Sequence, residues 1–181
     1  MKYCRTCASE VTLRIPAGDN RERFVCISCE TIHYQNPRII AGCLPVWEDQ
    51  VLLCLRAIEP RHGYWTLPAG FMENGESVAD GAARETLEEA NARVGELELY
   101  TVFSLPHISQ VYMFYKAQLT DLDFHSGEES LDVRLFKEED IPWQELAFPV
   151  ITETLKHYFA DRKQQQFPVH EQVITFKRKR A

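Results

Sequence analysis

The chain has 181 residues, 45% of them hydrophobic and 26% charged, so a packed core is expected and wholesale disorder is excluded. Twenty Lys and Arg against 27 Asp and Glu leave a net charge of −7, which gives the whole molecule no attraction to nucleic acid or to an anionic membrane. The longest apolar stretch, Ile39 to Trp47, is too short for a bilayer, and the opening Met-Lys-Tyr-Cys-Arg-Thr-Cys lacks the apolar region of a secretory signal, so a soluble cytoplasmic protein is expected.

Residues 1–35 carry two Cys-x2-Cys knuckles, Cys4/Cys7 and Cys26/Cys29, 18 residues apart. Each knuckle turns two thiolates toward one point, and two knuckles complete a tetrahedron, the spacing of a zinc ribbon. A disulfide framework is the alternative, disfavoured because cytosolic thiols stay reduced. Four thiolates leave no open coordination position, so the zinc would be structural. Cys43 and Cys54 stand alone in apolar runs and read as small core fillers.

After the linker Tyr34-Gln-Asn-Pro-Arg38, Ile39 to Trp47 reads as a buried strand and Val51 to Arg56 as its hairpin partner. A loop rich in Gly, Pro and aromatics runs from Glu59 to Gly75. From Ser77, a candidate N-cap, to about Arg93 the pattern is helical. Further strands are expected at Leu97–Leu105, Val111–Leu119 and Leu131–Phe136, then an amphipathic helix from about Pro149. Strands and helices without strict alternation predict an α/β or α+β domain with a mixed sheet over 36–163. Residues 164–181 are expected to form a tail with a basic end, Lys177–Arg180; Val173–Phe176 is a candidate strand for a partner subunit.

On a helical wheel Ala79, Ala82, Ala83, Thr86, Leu87 and Ala90 gather on one side of the first helix, and Glu85, Glu88 and Glu89 are placed opposite them. Three like charges at neighbouring positions repel, so a cation is a natural compensation. Leu67-Pro-Ala-Gly70 just upstream offers a backbone carbonyl to the same site. Oxygen donors alone favour Mg²⁺ or Mn²⁺.

Gly70, Glu76 and Arg84-Glu85-Thr86-Leu87-Glu88-Glu89-Ala90-Asn91-Ala92 resemble the Nudix box, G-x5-E-x7-R-E-U-x-E-E-x-G-U, at six fixed positions within 23 residues. Thr86, Asn91 and Ala92 depart from the pattern. Asn is the best non-Gly substitute at a left-handed C-cap, and the other two affect packing only. The Cys4 ribbon, the Asn-Pro-Arg linker and Gly63-Tyr-Trp-Thr-Leu-Pro-Ala-Gly70 are similar to the zinc-ribbon subgroup of Nudix hydrolases. Within it the likeness is to bacterial relatives of a plastid FAD and ADP-ribose pyrophosphatase.

The resemblance implies an α/β/α sandwich behind the ribbon, a homodimer and a dinucleotide substrate; charge balance and the short apolar runs point to no nucleic-acid or membrane partner. Glu85, Glu88 and Glu89, with the Gly70 carbonyl, would hold one to three Mg²⁺ or Mn²⁺, while Arg84 and Glu76 orient them. Water would attack a diphosphate phosphorus. Glu129 is the candidate base, with Glu128 and Glu89 as alternatives. Arg56 is a candidate for pairing with the diphosphate, and Tyr112, with Trp47 and Phe114, for stacking a base. The Ser-Gln-Pro-Trp-Pro-Phe-Pro run of subgroups that cleave NADH has no counterpart in Phe103–Ser109. The alternative class is a non-catalytic nucleotide-sensing regulator that binds nucleic acid, and within the enzyme class NADH or capped RNA stays open as substrate.

Overall fold

In this computed structural model residues 1–175 are described; the basic end Lys177–Arg180, and Phe176 of the expected terminal strand, lie outside them. The chain divides into two compact units after Pro37. In the first, β1 (Val11–Arg14), β2 (Arg23–Cys26) and β3 (Ile32–His33) form an antiparallel sheet, and Cys26 closes β2 where the second knuckle begins.

The second unit contains β4 (Arg38–Trp47), β5 (Gln50–Arg56), β6 (Trp65–Thr66), β7 (Ala69–Phe71), α1 (Val78–Ala90), β8 (Val94–Leu105), β9 (Gln110–Leu119), β10 (Ser130–Phe136), α2 (Pro149–Arg162) and β11 (His170–Val173). The sheet runs β10-β5-β4-β9-β8-β11, with β6 on β5 and β7 on β4. It is mixed: β4 runs parallel to β9, and β8 antiparallel to it. The expected β4–β5 hairpin is short, because β5 pairs only with Val46 and Trp47. On the same edge Ile40 to Gly42 take β7 instead, which brings the Gly70 strand beside the start of β4.

One sheet face packs Leu44, Leu53, Phe103 and Phe114 against Val150, Leu155 and Phe159 of α2. The other packs Cys43 and Cys54 beneath Ala82 and Ala90 of α1. The result is the expected α/β/α sandwich. Both cysteines are fully buried, and burial pushes the Cys43 thiol up to about 12, as suits apolar fillers. The terminal strand differs from expectation. It is His170–Val173, and it lies parallel on Thr101–Ser104 of this chain's own β8.

Candidate active site

Helix α1 starts where its sequence says it should. Ser77 Oγ accepts the Asp80 N–H at 3.1 Å, and the Asp80 carboxylate accepts the Ser77 N–H in return, a closed capping box. It stops at Asn91, whose φ of 48° is the left-handed cap a glycine commonly fills. Thr86, in the place of an aliphatic residue, is buried and donates to the Ala82 carbonyl at 2.8 Å, so its hydroxyl is satisfied within the helix.

The wheel needs one correction. Leu87 is exposed, whereas Glu89 is buried with Ala82, Thr86 and Ala90. Seven residues make nearly two turns, so Glu89 stands almost directly beyond Ala82 and points under the sheet-side loops. Glu88 is mostly exposed and Glu85 half-buried between them. The three carboxylates thus form a ramp from solvent into the protein.

Arg84 organises the ramp. Its guanidinium holds Glu76 (2.9 Å), Glu85 (2.7 Å) and Glu88 (3.0 Å), and it donates to the Phe71 carbonyl of β7 at 3.2 Å. The Arg84 hydrogen bonds hold the Glu76 carboxyl down at about 2. Among the described residues Glu89 enters no ion pair. Burial first, then the charge of Glu85, push its pKa up to about 8, opposed by Arg56 and by the Ala69 N–H. Burial also raises Glu85, against the pull of Arg84. Gly70 lies so close that a Cβ there would fall on the Glu85 carboxylate, which is why β7 passes this helix only with glycine.

The loop before β10 completes the site. Its N–H groups at His125 and Gly127 donate to the Ala90 and Glu89 carbonyls at 3.0 and 2.9 Å, satisfying groups that every helix end leaves open. Gly127 sits hard against the Glu88 carbonyl and leaves no room for a side chain. The two acidic residues that follow diverge. Glu128 lines a surface depression with Leu87, Glu88 and Asn91, whereas the charge of Glu129 acts on both Glu85 and Glu89. The charge of Arg56 opposes the upward shifts of both Glu89 and Tyr112; its guanidinium stacks over Phe148 at 5.3 Å and donates to the Pro60 carbonyl. Tyr112 is half-buried and stacks on Phe114, itself pure core, while Trp47 packs beside α1. Sequence reasoning missed the Ala69 N–H, the Gly127 contact and Ser130; only the glycine ahead of Glu128-Glu129 carried a signal.

In the ribbon unit the four cysteine sulfurs lie within 4.8 Å of one another, and among the described residues this is the group of potential ligands that converges so tightly. The separations are 3.7 Å for Cys4–Cys29 and 3.4 Å for Cys7–Cys26 and Cys7–Cys29. A tetrahedron of thiolates about 2.3 Å from zinc has edges of about 3.8 Å, so the set fits a structural zinc ion. Backbone N–H groups of Thr6, Ser28 and Cys29 point at the sulfurs of Cys4 and Cys26, and buried His33 Nε2 lies 3.2 Å from Cys4 Sγ.

Residues 2–35 match the family model described as Nudix N-terminal, and residues 36–171 match the NUDIX domain. A NUDIX hydrolase from Nitrosomonas europaea is 59% identical, with a TM-score of 0.90 over 96% of this chain and 100% of its own. NAD-capped RNA hydrolases NudC from Vibrio vulnificus and Vibrio parahaemolyticus are 30% and 33% identical over 78% and 73% of this chain. The chain spans about half the length of these curated relatives, 53% and 47%. An ADP-ribose pyrophosphatase from Streptococcus suis, 18% identical with a TM-score of 0.60 over 76% of this chain and 100% of its own, shares the fold alone. By the match of both its units, this chain belongs to the Nudix family, with a zinc ribbon ahead of the NUDIX domain.

Proposed function

We propose that the protein hydrolyses the diphosphate of a nucleoside diphosphate joined to a second group, with FAD and ADP-ribose as its first substrates and AMP as one product. The observation behind this reading is Glu89, a buried carboxyl that among the described residues enters no ion pair, close to Glu85, whose carboxylate lies against Gly70. Such a carboxyl is costly to ionise alone, and a bound cation would offset that cost. The donor set is oxygen only and fits Mg²⁺ or Mn²⁺. Glu85, Glu88 and Glu89, with the Gly70 carbonyl, would hold the ions, which supply charge neutralisation to the diphosphate and acidity to a water.

The rest is the work of the chain. Glu76 keeps Arg84 in place, and Arg84 keeps Glu85 and Glu88 in register along the helix. Glu129, anchored through its carbonyl to the Ala57 N–H at 2.8 Å, takes the proton of the attacking water as the bridging P–O bond breaks. Arg56 faces the diphosphate, and the Tyr112 ring stacks the base. A homodimer belongs to the same reading and is checked by sedimentation velocity.

A second reading takes NAD or NAD-capped RNA as substrate; it is favoured by the NAD-capped RNA hydrolases that are 30% and 33% identical to this chain. One panel decides between them: the protein with Mg²⁺ or Mn²⁺ and FAD, ADP-ribose, NADH, NAD-capped RNA and diadenosine polyphosphates, with products resolved. AMP from FAD or ADP-ribose at the highest kcat/KM is the expected result. A preference for NADH or capped RNA moves the second reading ahead, and no cleavage of any member overturns both.

A further inference from the structure

Strand β10 begins with an irregularity that changes where its first side chain points. Register slips between Ser130, opposite Arg56, and Asp132, opposite Leu55. With Val133 facing inward at 8% exposure, strict alternation would turn Leu131 in and Ser130 out. The reverse is found: Leu131 is 52% exposed and Ser130 only 7%. The bulge has re-aimed the serine, as bulges beside functional sites do.

The re-aimed hydroxyl reaches the face covered by the last turn of α1. Paired strand residues share a face, so Ser130 lies beside Arg56 and diagonally from Cys54, the residues that sense the charge of Glu89. Its backbone is fixed on both sides, the Ser130 N–H donating to Gly127 at 3.2 Å and the Glu129 carbonyl accepting from Ala57. Ser130 Oγ lies near the Cys54 thiol without hydrogen-bond geometry, and among the described residues it is the buried side-chain polar atom left without a partner. Burying a hydroxyl with nothing to bond is unfavourable, so a group it serves is to be expected.

We propose that Ser130 is a positioning residue for Glu89, its hydroxyl donating to that carboxylate when the divalent ion is held. The inference rests on the metal-site reading above. Its test is Mn²⁺ binding by calorimetry and electron paramagnetic resonance, together with steady-state kinetics, for wild type, Ser130→Ala and Ser130→Thr. Ser130→Ala is expected to weaken Mn²⁺ binding about tenfold or more and to lower kcat with nucleotide KM unchanged. Ser130→Thr, which keeps the hydroxyl, should stay within about threefold of wild type. If Ser130→Ala binds Mn²⁺ as wild type does and merely melts higher, the hydroxyl is only an unmet buried group and the proposal is overturned. Equal loss in Ser130→Thr places the effect in packing and also overturns it. A wild-type protein that takes up no Mn²⁺ removes the metal-site reading itself, an outcome distinct from both.

Discussion

A single methyl group at position 70 would occupy the space of the Glu85 carboxylate. Gly70→Ala is therefore expected to displace Glu85 and cut turnover about a hundredfold, as misplacement by about 1 Å can, with the melting temperature nearly unchanged. Glu89→Gln keeps the shape and removes the charge. It should lose turnover by about a hundredfold or more while melting no lower than wild type, since the buried carboxylate is itself unfavourable. Identity and spacing made these residues legible in the sequence, but their burial was not. Glu89 groups by charge with Glu85 and Glu88 opposite the apolar side, although its angle on the helix places it with Ala82. Ser130 was illegible for another reason, and Gly127 showed only as a glycine: their roles come from contacts with residues more than thirty positions away.

Helix α1 was predictable at both ends, since its caps are local chemistry. Asn91→Ala should destabilise the protein by about 1–2 kcal/mol, the cost of an ordinary residue in the left-handed region, measured by denaturant unfolding. β6 and β7 escaped notice because two or three residues cannot show a period. β11 escaped because His-Glu-Gln-Val lacks alternation; its place is decided by tertiary contacts. His170 Nε2 bonds the Asp161 carboxylate at 2.7 Å, Tyr100 donates to the same oxygen at 2.8 Å, and His157 stacks on His170 at 3.8 Å. Burial first, then the charge of His170, push the His157 imidazole below its usual value of 6.5, with Glu153 and Asp161 opposing and Lys156 adding to the effect. The unfolded chain therefore binds this proton at a higher pH than the folded one. Stability should fall as pH drops from about 6.5 through the folded value, and His157→Gln should reduce the loss of melting temperature between pH 7 and 5.5.

Across the whole molecule, the two units owe their order to different sources. Residues 38–175 have a two-sided apolar core, whereas residues 1–37 bury little beyond Cys4, Val25 and Cys26. A segment of that size depends on its metal for most of its folding energy. Zinc near one per chain is expected by elemental analysis. Chelation or Cys26→Ser should collapse the amide dispersion of residues 1–37, while the α/β resonances keep theirs. The ribbon was legible from thiol spacing and a mixed sheet from apolar runs, whereas the sandwich layering followed only from the likeness to the Nudix box.

The carbonyls that end α1 are taken up by His125 and Gly127, which follow the entire β8–β9 pair in the chain. During synthesis the acidic helix must therefore emerge, and wait, before the segment that finishes it leaves the ribosome. Some 35 residues must first turn back on themselves, a closure of the slow, non-local kind. A nascent chain halted ahead of Gly127 would carry every glutamate of the box and still have no assembled centre.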